Sequence, residues 1–109
     1  MKVANRVKKN EDFQKIIRDN KKRVNKSFIL YYKKSEIGHS RVGISTSKKL
    51  GNAIVRAKIR RQVRAICREI VSFDKSIDYI VIVRKPYLEN TFAINKELLS
   101  KLLSNIKED

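Results

Sequence analysis

The sequence predicts a single compact α+β domain, and three patterns carry that prediction. Residues 53–71 repeat apolar side chains at helical spacing, with Lys and Arg over most of the remaining surface. Three runs, 27–33, 41–47 and 77–84, have the branched and aromatic content or the alternation of strands. From about residue 91 the chain returns to helical spacing through Ile106. The order is helix–strand–strand–helix–strand–helix: a small mixed sheet, a long basic crossover helix and two further helices. A chain of 109 residues with 41% hydrophobic content can bury a modest core. No linker, repeat or low-complexity stretch divides residues 1–109.

Taken in order, residues 1–9 carry Lys2, Arg6, Lys8 and Lys9 with few apolar anchors and read as a flexible basic arm. Asn10 suits a helix N-cap, and Glu11 and Asp12 complement the positive end of the helix that follows. Phe13, Ile16 and Ile17 form its apolar face. A helix this short must be held by packing, and it ends near Asp19-Asn20. Lys21, Lys22, Arg23 and Lys26 read as a basic loop. In the strand Ser27–Lys33, alternation puts Phe28, Leu30 and Tyr32 on one face, with Ile29 and Tyr31 on the other. Arg41–Ser47 is a second strand, and the short link through Gly38 predicts an antiparallel hairpin with the first.

A turn on Gly51-Asn52 opens the long helix. Val55, Ile59, Val63, Ile66 and Ile70 fall within an arc of roughly 80° and mark its buried side. Arg56, Lys58, Arg60, Arg61, Arg64 and Arg68 occupy much of the rest, and no carboxylate precedes Glu69. Cations at this spacing repel by a few tenths of a kcal/mol per pair, so a polyanionic partner would turn repulsion into attraction. A merely solvated face would mix its signs. Ile77–Arg84 is the most apolar run and reads as a central strand, reached by a strand–helix–strand crossover and ended by Pro86. In the last helix Ile94, Leu98, Leu99, Leu102, Leu103 and Ile106 form a stripe that packs on the sheet.

The chain has 27 Lys and Arg against 11 Asp and Glu, a formal net charge of +16. That balance points to nucleic acid or an anionic membrane. No apolar run approaches the roughly 18 residues of a spanning helix, and the N-terminus lacks a signal-peptide core, so a cytoplasmic protein is expected. Catalytic machinery is missing. His39 is the lone histidine, and Gly38, Gly43 and Gly51 do not have phosphate-loop spacing. Cys67 is the only cysteine and is placed at the core edge. No catalytic residue, metal ligand or protein-bound cofactor is expected.

Among polyanions, the paired short helices of a DNA-reading motif are absent, and the basic helix lacks the bulky aromatics of a membrane-surface helix. Structured RNA suits Arg and Lys on a rigid helix, and unpaired strands suit aromatic platforms beside basic residues. Phe13, Ile29 and Tyr31 could form such a platform on the open sheet face; their spacing fits ordinary core equally well.

Several segments also resemble the bacterial ribonuclease P protein subunit: Val7-Lys8-Lys9-Asn10-Glu11-Asp12-Phe13, Arg41-Val42-Gly43-Ile44-Ser45, Ser47-Lys48-Lys49-Leu50-Gly51-Asn52-Ala53, the Arg-rich helix, and Asp78-Tyr79 through Arg84-Lys85-Pro86. The match is collinear over nearly the whole chain and most specific from Arg41 to Arg68. The resemblance implies the order α-β-β-β-α-β-α with a left-handed crossover. It also implies a protein that joins a catalytic RNA, whose magnesium-dependent chemistry removes the 5′ leader of precursor tRNA. The partners would be that RNA and precursor tRNA, with a monomeric protein in a one-to-one complex and no membrane. By matching position, Lys48, Lys49, Asn52, Arg56, Lys58, Arg60, Arg61, Arg64 and Arg68 would face the catalytic RNA. Phe13, Ile17, Ile29 and Tyr31, with Arg6 and Lys9 nearby, would line the leader cleft. Two departures stand out: Arg56-Ala57-Lys58 replaces the family's usual Arg-Asn-Arg, and Ile17 stands where a second cleft aromatic is common. The competing readings are a ribosomal or general structured-RNA-binding protein and a protein-only nuclease.

Overall fold

The computed structural model describes residues 5–19 and 21–106. Its elements are α1 (Asn10–Arg18), β1 (Lys22–Val24), β2 (Phe28–Lys34), β3 (Arg41–Ser45), α2 (Ala53–Ile70), β4 (Ile77–Val83) and α3 (Phe92–Leu103), with 3₁₀ turns at Lys48–Leu50 and Lys85–Glu89. The strands form one mixed sheet in the order β1-β2-β4-β3, antiparallel except for the β3–β4 pair.

The expected hairpin between β2 and β3 does not form, because β4 lies between them. The reason lies in β4 itself. All of Ile77–Val83 except half-buried Ile82 is buried, a demand that a central strand meets and an edge strand does not. The link from β2 to β3 therefore crosses the end of β4 and is tied to it there. Ser35 N donates to Ser76 O at 2.8 Å, Ser40 Oγ donates to Lys75 O at 2.6 Å, and Ile77 N donates back to Ser40 Oγ at 3.1 Å.

The basic stretch read as a loop contains a strand, since Lys22–Val24 pairs with β2. Asn25 makes the turn: its side-chain oxygen accepts from the amides of Ser27 (3.1 Å) and Phe28 (3.0 Å). A three-residue edge strand carries too little apolar pattern to stand out from sequence. The basic arm is also corrected over its described part. Val7 is buried, its amide donates to Val42 O at 3.1 Å, and Arg6 bridges to Val42 in parallel fashion. Residues 1–4, and Asn20 at the end of the first helix, lie outside the described residues.

Helix boundaries follow their caps. Asn52 accepts from Val55 N at 3.0 Å and starts α2, and Thr91 accepts from Ile94 N at 3.3 Å and starts α3. Gly51, at φ 139°, supplies a turn that an L side chain would strain. For α1 the N-cap is Lys9, which makes no side-chain cap bond; Asn10 is already helical.

Two apolar clusters flank the sheet. The larger joins Phe28, Leu30, Val42, Tyr79 and Val81 to Ile59, Val63, Ile66 and Cys67 of α2 and Leu99, Leu102 and Leu103 of α3. Cys67 sits inside this core, not at its edge, and Ile94 of the Leu stripe is largely exposed. The smaller cluster, on the opposite face, is Val7, Ile16 and Ile80, with Phe13, Tyr31 and Ile82 packed half-buried against it.

Candidate nucleic-acid interface

The register assigns the second sheet face row by row. Ile29 pairs with Ile82 and Ile82 with Ser45; Tyr31 pairs with Ile80 and Ile80 with Gly43; Lys33 pairs with Asp78 and Asp78 with Arg41. Partners in register share a face, so these three rows line one surface. Helix α1 covers the Asp78 end. The row holding Ile29 and Ile82 stays half-exposed, and Val24 at its margin is 51% exposed. The result is a half-open apolar cleft.

Phe13 reaches this cleft because Gly43 leaves room for it. A Cβ on Gly43 would lie 2.7 Å from Phe13 Cζ, 2.8 Å from Ile80 Cδ1 and 3.0 Å from Val7 Cβ. Tyr31 stands beside it in β2, with Lys22 Nζ 5.9 Å from its ring centroid. Ile17 and Ile29 are half-buried and Lys9 is exposed. Phe13 and Tyr31 thus combine the two readings: each packs one side on the small cluster and leaves another toward solvent.

At the covered end, Arg41 spans three elements. Its Nε and Nη2 donate to the two Asp78 oxygens at 3.0 and 2.8 Å, and its Nη1 donates to Asp12 Oδ2 at 3.3 Å. The hydrogen bonds that Arg41 donates to Asp78, with the charges of both carboxylates, raise the Arg41 pKa above its ordinary value, against the opposing effect of burial. Arg41 and Asp78 lie 37 residues apart in the chain, and the pairing of β3 with β4 brings them together.

The second surface is the outer face of α2 and the turn before it. Lys48, Lys49, Asn52, Lys58, Arg61 and Arg68 are exposed, while Arg56, Arg60 and Arg64 are half-buried. Among the described residues, none of these cations forms an ion pair. Arg60 Nη1 donates to Thr46 Oγ1 at 2.8 Å, which fixes it against the end of β3. Arg64 has its pKa lowered by burial first, then by the nearby charges of Arg6 and Arg60. Arg6 and Arg64 line one groove along the β3 edge with Val42 and Ile44. Val7 and Gly43 line the same groove, so Arg6 lies near both the cleft and the α2 face. The Asn52 side chain caps α2, so its Oδ1 already holds the Val55 amide. Ala57 is exposed in the basic face.

Other cations serve the fold. Arg23 donates to the Leu102 and Ser104 carbonyls at 3.1 and 2.5 Å, closing the C-terminal end of α3, and Arg84 donates to Asn25 O at 2.6 Å. Among the described residues no cluster of three or more His, Cys, Asp or Glu side chains could hold a metal ion. No helix among them is long and apolar enough to cross a membrane.

These features define a small basic α+β domain with one sheet face closed by two helices, the other half-open, and an uncompensated cationic helix alongside. The chain belongs to the Ribonuclease P family, whose model matches residues 1–107. A ribonuclease P protein component from Mycoplasma capricolum is 41% identical over 109 residues, covering 98% of this chain and all of the relative. The one from Macrococcus caseolyticus is 47% identical over 100 residues, covering 90% and 87% of the two chains. The solved RNase P protein of Staphylococcus aureus superposes with a TM-score of 0.83 at 40% identity, covering 91% of this chain and 92% of that one.

Proposed function

We propose that this chain is the protein subunit of a cytoplasmic ribonuclease P ribonucleoprotein, in which a catalytic RNA hydrolyses the 5′ leader from precursor tRNA. The observation that carries the reading is the pairing of two unlike surfaces on one rigid domain. The α2 face offers cations without carboxylates, suited to the backbone of a folded RNA. The cleft offers Phe13 and Tyr31 beside Lys9 and Lys22, suited to stacking and neutralising a single strand.

In this reading Lys48, Lys49, Arg56, Lys58, Arg60, Arg61, Arg64 and Arg68 dock the RNA subunit. Asn52 positions the first turn of that helix as its cap. Phe13, Tyr31, Ile17 and Ile29 hold the leader, and Arg6 lies where the nucleic acid passes from one surface to the other. The protein binds and orients the RNA substrate, one protein to one catalytic RNA; the hydrolysis, with its magnesium ions, belongs to the RNA. With Ile17 in place of an aromatic, stacking rests on Phe13 and Tyr31.

The test is leader removal from precursor tRNA by a bacterial ribonuclease P RNA at low magnesium, with and without the purified protein. Strong stimulation with the RNA, and no cleavage by the protein alone, is the expected result. Tight RNA binding without stimulation would return the chain to a general structured-RNA-binding role. Cleavage without RNA would mean a protein-only nuclease.

A further inference from the structure

We infer that Arg41 and Asp12 are positioning residues for leader binding: their ion pair clamps α1 to the sheet and thereby sets Phe13 in the cleft. The inference rests on the leader-binding reading above. Helix α1 has only nine residues and no side-chain cap, so little in its own sequence holds it. Its contacts with the sheet must do so, and the polar one is specific. Arg41 grips Asp78 with two parallel hydrogen bonds and extends its remaining Nη1 to Asp12. Asp78 has only 5% of its side chain exposed and Arg41 only 16%, against 26% for Asp12. The Arg41–Asp78 pair is therefore built into the sheet, and Asp12 is the helix's handle on it.

Asp12 directly precedes Phe13, so a shift of one moves the other. The pair next in register to Arg41 and Asp78 on this face is Gly43 and Ile80, the two residues under the Phe13 ring. A clamp one row away from the ring restricts both the height and the slide of α1 over the cleft. It also gives a role to an acidic residue turned toward the sheet on a chain of net charge +16.

Replacing Arg41 with Ala would strand the buried Asp78 carboxylate and unfold the sheet, so the informative variant is Asp12→Asn. Glu11→Gln is the control, since it removes the same charge from the first turn of α1 at an exposed position. The full chain is assembled with ribonuclease P RNA and given two precursor tRNAs, one with a leader long enough to cross the cleft and one with a single-nucleotide leader. Asp12→Asn should raise KM for the long leader roughly fivefold, the low end for loss of one aromatic–base stack. It should leave kcat, the single-nucleotide substrate and assembly with the RNA unchanged. It should add nothing in a Phe13→Ala background, and Glu11→Gln should be silent.

NMR gives a readout free of activity. The Gly43 resonances, shifted by the Phe13 ring, should move in Asp12→Asn toward their positions in Phe13→Ala. Unmoved Gly43 resonances would overturn the clamp. Equal losses on both substrates, additivity with Phe13→Ala, or no loss while the wild-type chain stimulates cleavage would overturn its role in leader binding. A wild-type chain that gives no stimulation at all would instead bring down the ribonuclease P reading, and with it the leader half of this inference.

Discussion

Gly43→Ala adds one methyl group at the point where three elements meet. Carbon–carbon contacts are comfortable near 3.5–4.0 Å. The new Cβ would find Phe13 Cζ at 2.7 Å, Ile80 Cδ1 at 2.8 Å and Val7 Cβ at 3.0 Å. The first two are ends of side chains and can swing. Val7 Cβ is fixed to a backbone whose amide is bonded to Val42 O, next to the substituted residue. Relief must therefore combine a swing of Phe13, which disturbs the docking of α1, a swing of Ile80 and a small backbone shift at Val7. Overpacking of this kind costs about 1–3 kcal/mol. At roughly 4–6 °C per kcal/mol for a domain of this size, the melting temperature should fall by about 4–18 °C. Thermal unfolding followed by far-UV circular dichroism measures it. Phe13→Leu removes Cζ and should relieve part of the clash, so the double variant should lose less than the sum of the single losses, by about 0.5–3 kcal/mol. A Gly43→Ala protein as stable as the parent, or losses that simply add, would refute the close approach of Phe13.

Arg60→Ala with Arg64→Ala should weaken assembly with the catalytic RNA and lower the slope of log K against log salt by about one unit for each phosphate no longer neutralised; filter binding across a salt series measures both. Phe13→Ala with Tyr31→Ala should leave that slope alone and weaken only leader-dependent substrate affinity, so identical defects from the two pairs would defeat the two-surface reading. Restoring the family's pattern with Ala57→Asn and Lys58→Arg should tighten assembly roughly three- to tenfold, the scale of one added hydrogen bond of about 0.5–1.5 kcal/mol. Burial pushes both the Cys67 thiol and the Tyr87 hydroxyl up to about 12, from 9.0 and 10.0. Both groups thus keep their protons in the folded chain at pH values where the unfolded chain releases them. Their stabilisation is complete below pH 9, then declines as pH rises and is lost above about 12. Urea unfolding across that window should show the decline, and Cys67→Ala with Tyr87→Phe should flatten it.

Local pattern was enough for much of the fold. The α2 face could be read because its buried residues recur every three or four positions, and all of Ile59, Val63 and Ile66 enter the core. Alternation in β2 correctly separated Phe28 and Leu30 from Ile29 and Tyr31. Where the pattern was too short or the deciding partner too distant, the reading failed. Lys22–Val24 looked like a basic loop because three residues cannot display a period. The β2–β3 hairpin was drawn from a short link, and it lost to the demand of β4 for a neighbour on each side.

Charge shows the same division. Residue type and spacing alone make this protein strongly cationic, give one helix a basic and an apolar side, and require a very apolar strand to be central. The chain carries those properties locally. What each cation does depends on partners that the folded chain brings to it. Arg23 closes α3 across 79 residues of chain, Arg41 meets Asp78 across 37, and Arg6 comes to rest beside Arg64. No period or composition encodes such pairs, because strand order and register bring them together, and these are set by the packing of the whole sheet.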